Sequence, residues 1–167
     1  MGNAGNITAY WMGFTQYQRL KHSGLPRILG VQAAGSAPLV LGHPVDHPET
    51  VATAIRIGRP ARGEEAIQAA EESKGQIIAV TDDEILAMQR RLASSGVWVE
   101  PASAAGVAGL AHQLQAGKIN VQGQRVVAVC TGHGLKDPDI IAKSMPAPRK
   151  LSARLSDLEA AILGEKK

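Results

Sequence analysis

The feature that most constrains this chain is a regular alternation of short apolar runs with longer stretches of helical periodicity. Arg27–Ala33, Gln76–Val80, Val97–Val99 and Arg125–Thr131 read as strands, and such near-continuous apolar runs mark strands covered on both faces. Ahead of them, Ile7, Tyr10, Trp11, Phe14 and Tyr17 recur at helical spacing on a segment that Asn6 can cap and that runs to about Leu20. That stripe is expected to face the core. Further helices are expected over Glu49–Ile57, Gly63–Ser73, Pro101–Ala116, Asp137–Ser144 and Ser152–Leu163, with Ala34–Pro48 a loop. Thr81-Asp82-Asp83-Glu84 has the spacing of a capping box and opens a helix to about Ser94. Strands joined through helices cross over right-handedly, so the sheet is expected to be parallel with helices on both faces. The class is α/β.

Composition narrows the function. The chain has 167 residues, 44% of them apolar but only 3% aromatic, so the core must be built from Ala, Val, Ile and Leu. The net charge is +3 and the basic residues are scattered, without a patch interleaved with aromatics, so no nucleic-acid surface is expected. No run approaches the roughly 20 apolar residues of a membrane span, and no signal-peptide pattern opens the chain. The cytoplasm is the expected compartment, with no membrane contact. A single cysteine, Cys130, excludes an internal disulfide, and its Val126–Val129 flank predicts a buried, inert thiol. The five histidines show no metal-ligand pairing; His43 and His47 lie in a loop, where a four-residue spacing has no helical meaning.

Ligands of parallel α/β sheets sit at the carboxyl ends of strands, in the loops that lead into helices. Three loops here have unusual composition. Gly2-Asn3-Ala4-Gly5-Asn6 opens a helix; its glycines let backbone N–H groups converge on an anion, its asparagines add donors, and the helix adds its positive end. The same composition suits a plain helix cap, and neither the GK[ST] nor the GxGxxG phosphate fingerprint is present. Glu100-Pro101-Ala102-Ser103-Ala104-Ala105 puts a carboxylate at a strand end, where it serves either a ligand or the cap of the next helix. Thr131-Gly132-His133-Gly134-Leu135-Lys136-Asp137 presents a hydroxyl at the mouth of the sheet, with glycines permitting tight turns around His133. No Ser, Cys or Asp at a suggestive spacing promotes His133 to a catalytic triad.

Taken together and in this order, GNAGNITAYW, LPRILGVQAAGSAPLVLG, ETVATAIRIGRPA, TDDEIL, VEPASAAGVAGL and TGHGLKDPD resemble the carboxyl-terminal half of the threonine synthase family, pyridoxal-phosphate-dependent enzymes of fold type II. The resemblance runs from Gly2 to about Asp139. It implies that Gly2, Asn3, Ala4, Gly5 and Asn6 cradle the phosphate of pyridoxal 5'-phosphate, and that Thr131 hydrogen-bonds its pyridine nitrogen. A neutral hydroxyl there tempers the cofactor's electron-sink character. Glu100 would lie near the cofactor. The implied reaction turns O-phosphohomoserine and water into threonine and phosphate.

The family's Schiff-base lysine belongs to a Ser-x-Lys-Asp-Arg type segment, which these residues do not contain, and Lys136 belongs to a different motif. The resemblance therefore implies a fragment, 1–145 being the carboxyl-terminal part of the cofactor-binding domain and 146–167 a Pro-rich linker and terminal helix. Alone it would be inactive and of marginal stability. Its expected partners are an amino-terminal half or a second copy. The alternatives are another fold type II enzyme such as threonine deaminase, or a non-catalytic module that binds phosphate or pyridoxal phosphate.

Overall fold

A computed structural model of the chain describes residues 1–144 and 147–164. Met145 and Pro146 of the expected Pro-rich linker, and residues 165–167, lie outside the described residues. In chain order the elements are α1 (Gly5–Lys21), β1 (Leu29–Ala33), the one-turn α2 (Pro38–Leu41), a 3-10 turn (Thr53–Ile55), α3 (Gly63–Glu72), β2 (Gln76–Val80), α4 (Asp82–Ser94), α5 (Pro101–Gln115), a second 3-10 turn (Gly134–Lys136), α6 (Pro138–Ser144) and α7 (Leu155–Leu163). They fall into two units, Met1–Asp137 and Pro138–Lys167.

The first unit is organised by one strand pair. β1 and β2 run parallel in the register Leu29↔Gln76 through Ala33↔Val80. The pleat sends Val31, Ala33, Ile78 and Val80 to one face, where they pack with Ile85 of α4 and Ala104, Ala105 and Ala108 of α5. Ile77 lies on the other face with Ala4, Ile7 and Trp11 of the α1 region and Ala66 and Ala69 of α3. The parallel α/β class therefore holds, with helices on both faces of a small two-stranded sheet. Alanine lets the helices approach closely, and Gly109 of α5 takes this furthest. A Cβ there would lie 2.4 Å from Val31 Cγ2.

The Thr81 capping box forms as its spacing predicts. Thr81 Oγ1 accepts from the Glu84 amide, and the Glu84 carboxylate accepts from the Thr81 amide at 2.7 Å. The other Glu84 oxygen meets His112 Nδ1 at 2.6 Å and so ties α4 to α5. Burial pushes the Glu84 carboxyl upward, but the Thr81 amide, His112 and the Thr81 hydroxyl together hold it below its ordinary 4.5.

Several sequence expectations are corrected, among them the Ala34–Pro48 loop, which holds the one-turn helix α2. Val97–Val99 forms no strand, only an isolated bridge between Val99 and His133. Arg125–Thr131 joins no ladder; Val126, Val127 and Val129 are 47%, 77% and 52% exposed, and Cys130 is exposed rather than buried. Glu49–Ile57 contains only the 3-10 turn. On α1, Ile7 and Trp11 are buried, but Tyr10, Phe14 and Tyr17 are exposed, so the stripe is covered along one edge alone. The N-cap of α1 is Ala4 and not Asn6. In the second unit α7 ends at Gly164 in a left-handed conformation and buries no residue. No helix among the described residues is long and apolar enough to cross a membrane.

Two outcomes test this packing. Gly109→Val should wedge α5 from the sheet and lower unfolding stability by about 1–3 kcal/mol in a urea titration. Glu84→Gln should lower stability at neutral pH. Because the folded pKa of Glu84 lies below 4.5, wild type keeps its advantage above that pH and loses it as pH falls through the folded value. Acid unfolding curves of the two proteins should therefore converge at low pH.

Candidate cofactor site

The site lies where the carboxyl ends of β1 and β2 run into their loops. Ala34 continues the ladder for one residue, its amide donating to Val80 O at 2.7 Å, and the chain then turns at Gly35 and Ser36. Ser36 is fully buried, and its hydroxyl serves a single segment: it donates to Ile55 O and Ile57 O and accepts from the Ile57 amide at 3.0 Å. The same segment is fastened to the start of α4. There the Asp82 carboxylate accepts from the Thr50 hydroxyl at 2.5 Å and the Val51 amide at 2.9 Å. Arg56 folds back to donate to Thr50 O at 2.7 Å. Residues 50–57 thus form a shelf on the rim of the sheet.

The Gly2–Asn6 loop rests on this shelf. A Cβ on Gly2 would lie 3.1 Å from Ala54 O and 3.2 Å from Ile57 Cγ1, so the backbone sits close against it. Asn3 braces the other side: its carbonyl accepts from the Arg62 amide at 3.2 Å, and its side-chain oxygen accepts from the Ala61 amide at 3.4 Å. Ala4 is buried with φ 64, a left-handed conformation that costs a non-glycine residue about 1–2 kcal/mol. A left-handed residue running straight into a right-handed helix turns successive amides toward one concavity. Among the described residues the first N–H groups of α1, with the exposed Gly5 and Asn6, have no side-chain cap, at the positive end of a 17-residue helix. This donor set fits a phosphate.

The other two loops meet each other. Glu100 occupies the N-cap position of α5 but makes no side-chain cap bond. Its amide donates to Gly132 O at 3.0 Å, and its buried carboxylate reaches toward the Gly132 Cα and to within 3.9 Å of Lys136 Nζ. The Gly132 amide donates to Ser103 Oγ at 2.9 Å. Gly134 packs on the Trp98 indole, where a Cβ would come within 2.1 Å of Nε1. The exposed Thr131 stands at the head of this segment.

No hydrogen bond joins Thr131 to the Gly2–Asn6 loop among the described residues. Their link runs through the shelf, where the Thr53 hydroxyl donates to Asp137 Oδ2 at 2.7 Å. Sequence reasoning singled out the three loops but missed the shelf, whose Ser36, Thr50, Thr53 and Asp82 act through side-chain bonds to backbone and to one another or to Asp137. Their signal was the clustering of Ser, Thr and Asp beside loop segments. His43 bonds only Pro44 O, and no cluster of metal-ligating side chains exists among the described residues.

An uncapped, glycine-flanked helix start at the carboxyl rim of a parallel sheet is the kind of donor set that anion sites use. Residues 1–132 match the family described as pyridoxal-phosphate dependent enzyme, and the chain belongs to that family. The particular relatives are threonine synthases. That of Mycobacterium tuberculosis is 56% identical over 149 residues, covering 88% of this chain and 41% of the relative. That of Synechocystis sp. is 59% identical over 142 residues, covering 83% and 36%. That of Methanosarcina acetivorans is 44% identical over 177 residues, covering 100% and 44%. The chain thus spans well under half the length of these relatives. The crystal structure of a T.th. threonine deaminase shares the fold with a TM-score of 0.50 at 23% identity, covering 70% of this chain and 42% of that one.

The contact between Glu100 and Gly132 yields a test. A Cβ at Gly132 would lie 2.0 Å from Glu100 Oε1, so Gly132→Ala should lower the melting temperature by displacing that carboxylate. The double variant Gly132→Ala, Glu100→Ala should recover part of the loss, with a coupling measurable in a double-mutant cycle.

Proposed function

We propose that this chain supplies the phosphate cradle and the ring-nitrogen contact of a pyridoxal-phosphate site in a threonine synthase, which converts O-phosphohomoserine and water into threonine and phosphate. The observation that carries this reading is the uncapped start of α1 behind the left-handed Ala4, held on the shelf at the sheet's carboxyl rim. In that role the amides after Ala4 and the Asn3 and Asn6 side-chain amides donate to the phosphate, with the helix dipole favouring its charge. Thr131 offers its hydroxyl to the ring nitrogen, and a neutral donor leaves that nitrogen unprotonated. When bound, pyridoxal phosphate supplies an electron sink for charge developing at the substrate's α-carbon. Lys136 Nζ lies 3.9 Å from the Glu100 carboxylate, and in this reading it does not carry the cofactor covalently.

The catalytic lysine and the rest of the substrate site then belong to a segment beyond these residues or to a partner chain. Two exposed apolar surfaces suit such a partner: Tyr10, Phe14 and Tyr17 on α1, and Val126, Val127 and Val129 on the unpaired stretch before Thr131.

The test is calorimetric titration of the chain with pyridoxal phosphate and with inorganic phosphate. Both should bind. Asn6→Asp places a carboxylate in the first turn of α1, where it favours the helix but repels an anion. That variant should keep or raise the melting temperature while both affinities fall by roughly tenfold or more. Borohydride treatment of the cofactor-loaded chain should leave its mass unchanged. A covalent adduct on Lys136, or equal anion affinity in Asn6→Asp, would overturn the reading.

A further inference from the structure

The hydrogen bond from Thr53 to Asp137 joins residues 84 positions apart, at the surface of the fold. Among the described residues it is the one hydrogen bond between the shelf and the 131–137 segment. The rest of that segment is held from the opposite side, by Glu100 and Ser103 of the α5 start and by Trp98. Those contacts fix the segment against α5 but say nothing about its distance from α1. Thr53 does, because the next residue, Ala54, presents its carbonyl to Gly2 of the loop. Two adjacent residues of one tethered turn therefore touch the two ends of the site. The turn itself cannot drift, since Ile55 is buried and Ile55 and Ile57 are fastened to Ser36.

We propose that Thr53 and Asp137 are positioning residues that set the span between the Gly2–Asn6 loop and Thr131. A ligand anchored by its phosphate then finds the Thr131 hydroxyl at its far end. The proposal rests on the cofactor reading above. It also separates two roles that a purely structural contact would merge: the phosphate end is complete without Asp137, while the ring end depends on it. An exposed side-chain bond of this kind adds little to folding stability, so its removal should leave the fold intact.

The experiment compares Thr53→Val and Asp137→Ala with wild type by three measurements. In both variants pyridoxal phosphate affinity should fall by roughly threefold to tenfold, one hydrogen bond's worth, while inorganic phosphate affinity and the melting temperature stay unchanged. Amide hydrogen exchange at residues 131–136 should quicken in both, without any ligand, and Thr53→Ser should restore wild-type behaviour. Unchanged exchange with unchanged cofactor affinity overturns the proposal. So do parallel losses of phosphate affinity and melting temperature, which mark a structural contact. Should wild type bind phosphate but not pyridoxal phosphate, the cofactor reading fails. The exchange rates then decide the positioning role by themselves, faster exchange upholding it and unchanged exchange overturning it.

Discussion

The parallel pairing of β1 with β2 is the constraint on which the rest of the first unit depends. It buries Val31, Ala33 and Val80 almost completely and gives α4 and α5 one face, α1 and α3 the other. Parallel strands end on the same side, so the residues after Ala33 and after Val80 emerge together. Ser36 leaves the first strand end and Asp82 the second, and each takes hold of residues 50–57. A connection with little regular structure of its own becomes a fixed shelf because two strand ends grip it. The Gly2 backbone at the start of α1 and Asp137 of the segment that follows Thr131 both meet that shelf.

The elements legible in the sequence are those whose signals are local. Gln76–Val80 and the capping box at Thr81 appear with the residues expected, since β-branched content and Thr–Glu spacing act within a few positions. Arg125–Thr131 failed for the opposite reason. An apolar run becomes a strand only when a neighbour pairs with it, and here Val127 stands 77% exposed with no ladder beside it. The pattern reports what the segment can bury, and the folded chain reports what is present to cover it. The aromatic stripe of α1 divides in the same way: Trp11 reaches α3, where its Nε1 donates to Glu72 at 2.6 Å, while Tyr10, Phe14 and Tyr17 face outward.

Residues 49–57 show a different limit. Their periodicity is helical, yet side chains outcompete the helix for the backbone. The Val51 amide goes to Asp82, the Ala52 amide to the Thr50 hydroxyl, the Ile57 amide to Ser36, and Thr50 O to Arg56. These bonds satisfy backbone groups of the segment without a helical ladder. The partners lie up to 31 or 32 residues away in sequence, so no window-based reading finds them. The three loops stand out in the sequence because their residue types are unusual; the shelf does not, because its residues are ordinary and only their partners are informative.

This division has a consequence for how such a site distributes its work. The loop spends backbone strain at Ala4 to aim its amides, and strain of that kind persists only where surrounding structure over-determines it. Here the surroundings are local to the first unit: the shelf beneath Gly2, the Asn3 contacts to residues 61 and 62, and Ile7 and Trp11 packed behind. In the proposed role, the phosphate cradle is built from elements that this unit holds by itself. Covalent chemistry in that role needs a lysine brought to the other end of the cofactor from outside this set of elements. Under the proposed function, affinity and catalysis rest on different parts of the polypeptide, and the cradle is preorganised before the catalytic group arrives. That order is the favourable one: a ligand held at its phosphate presents its reactive end at high effective concentration to the second part.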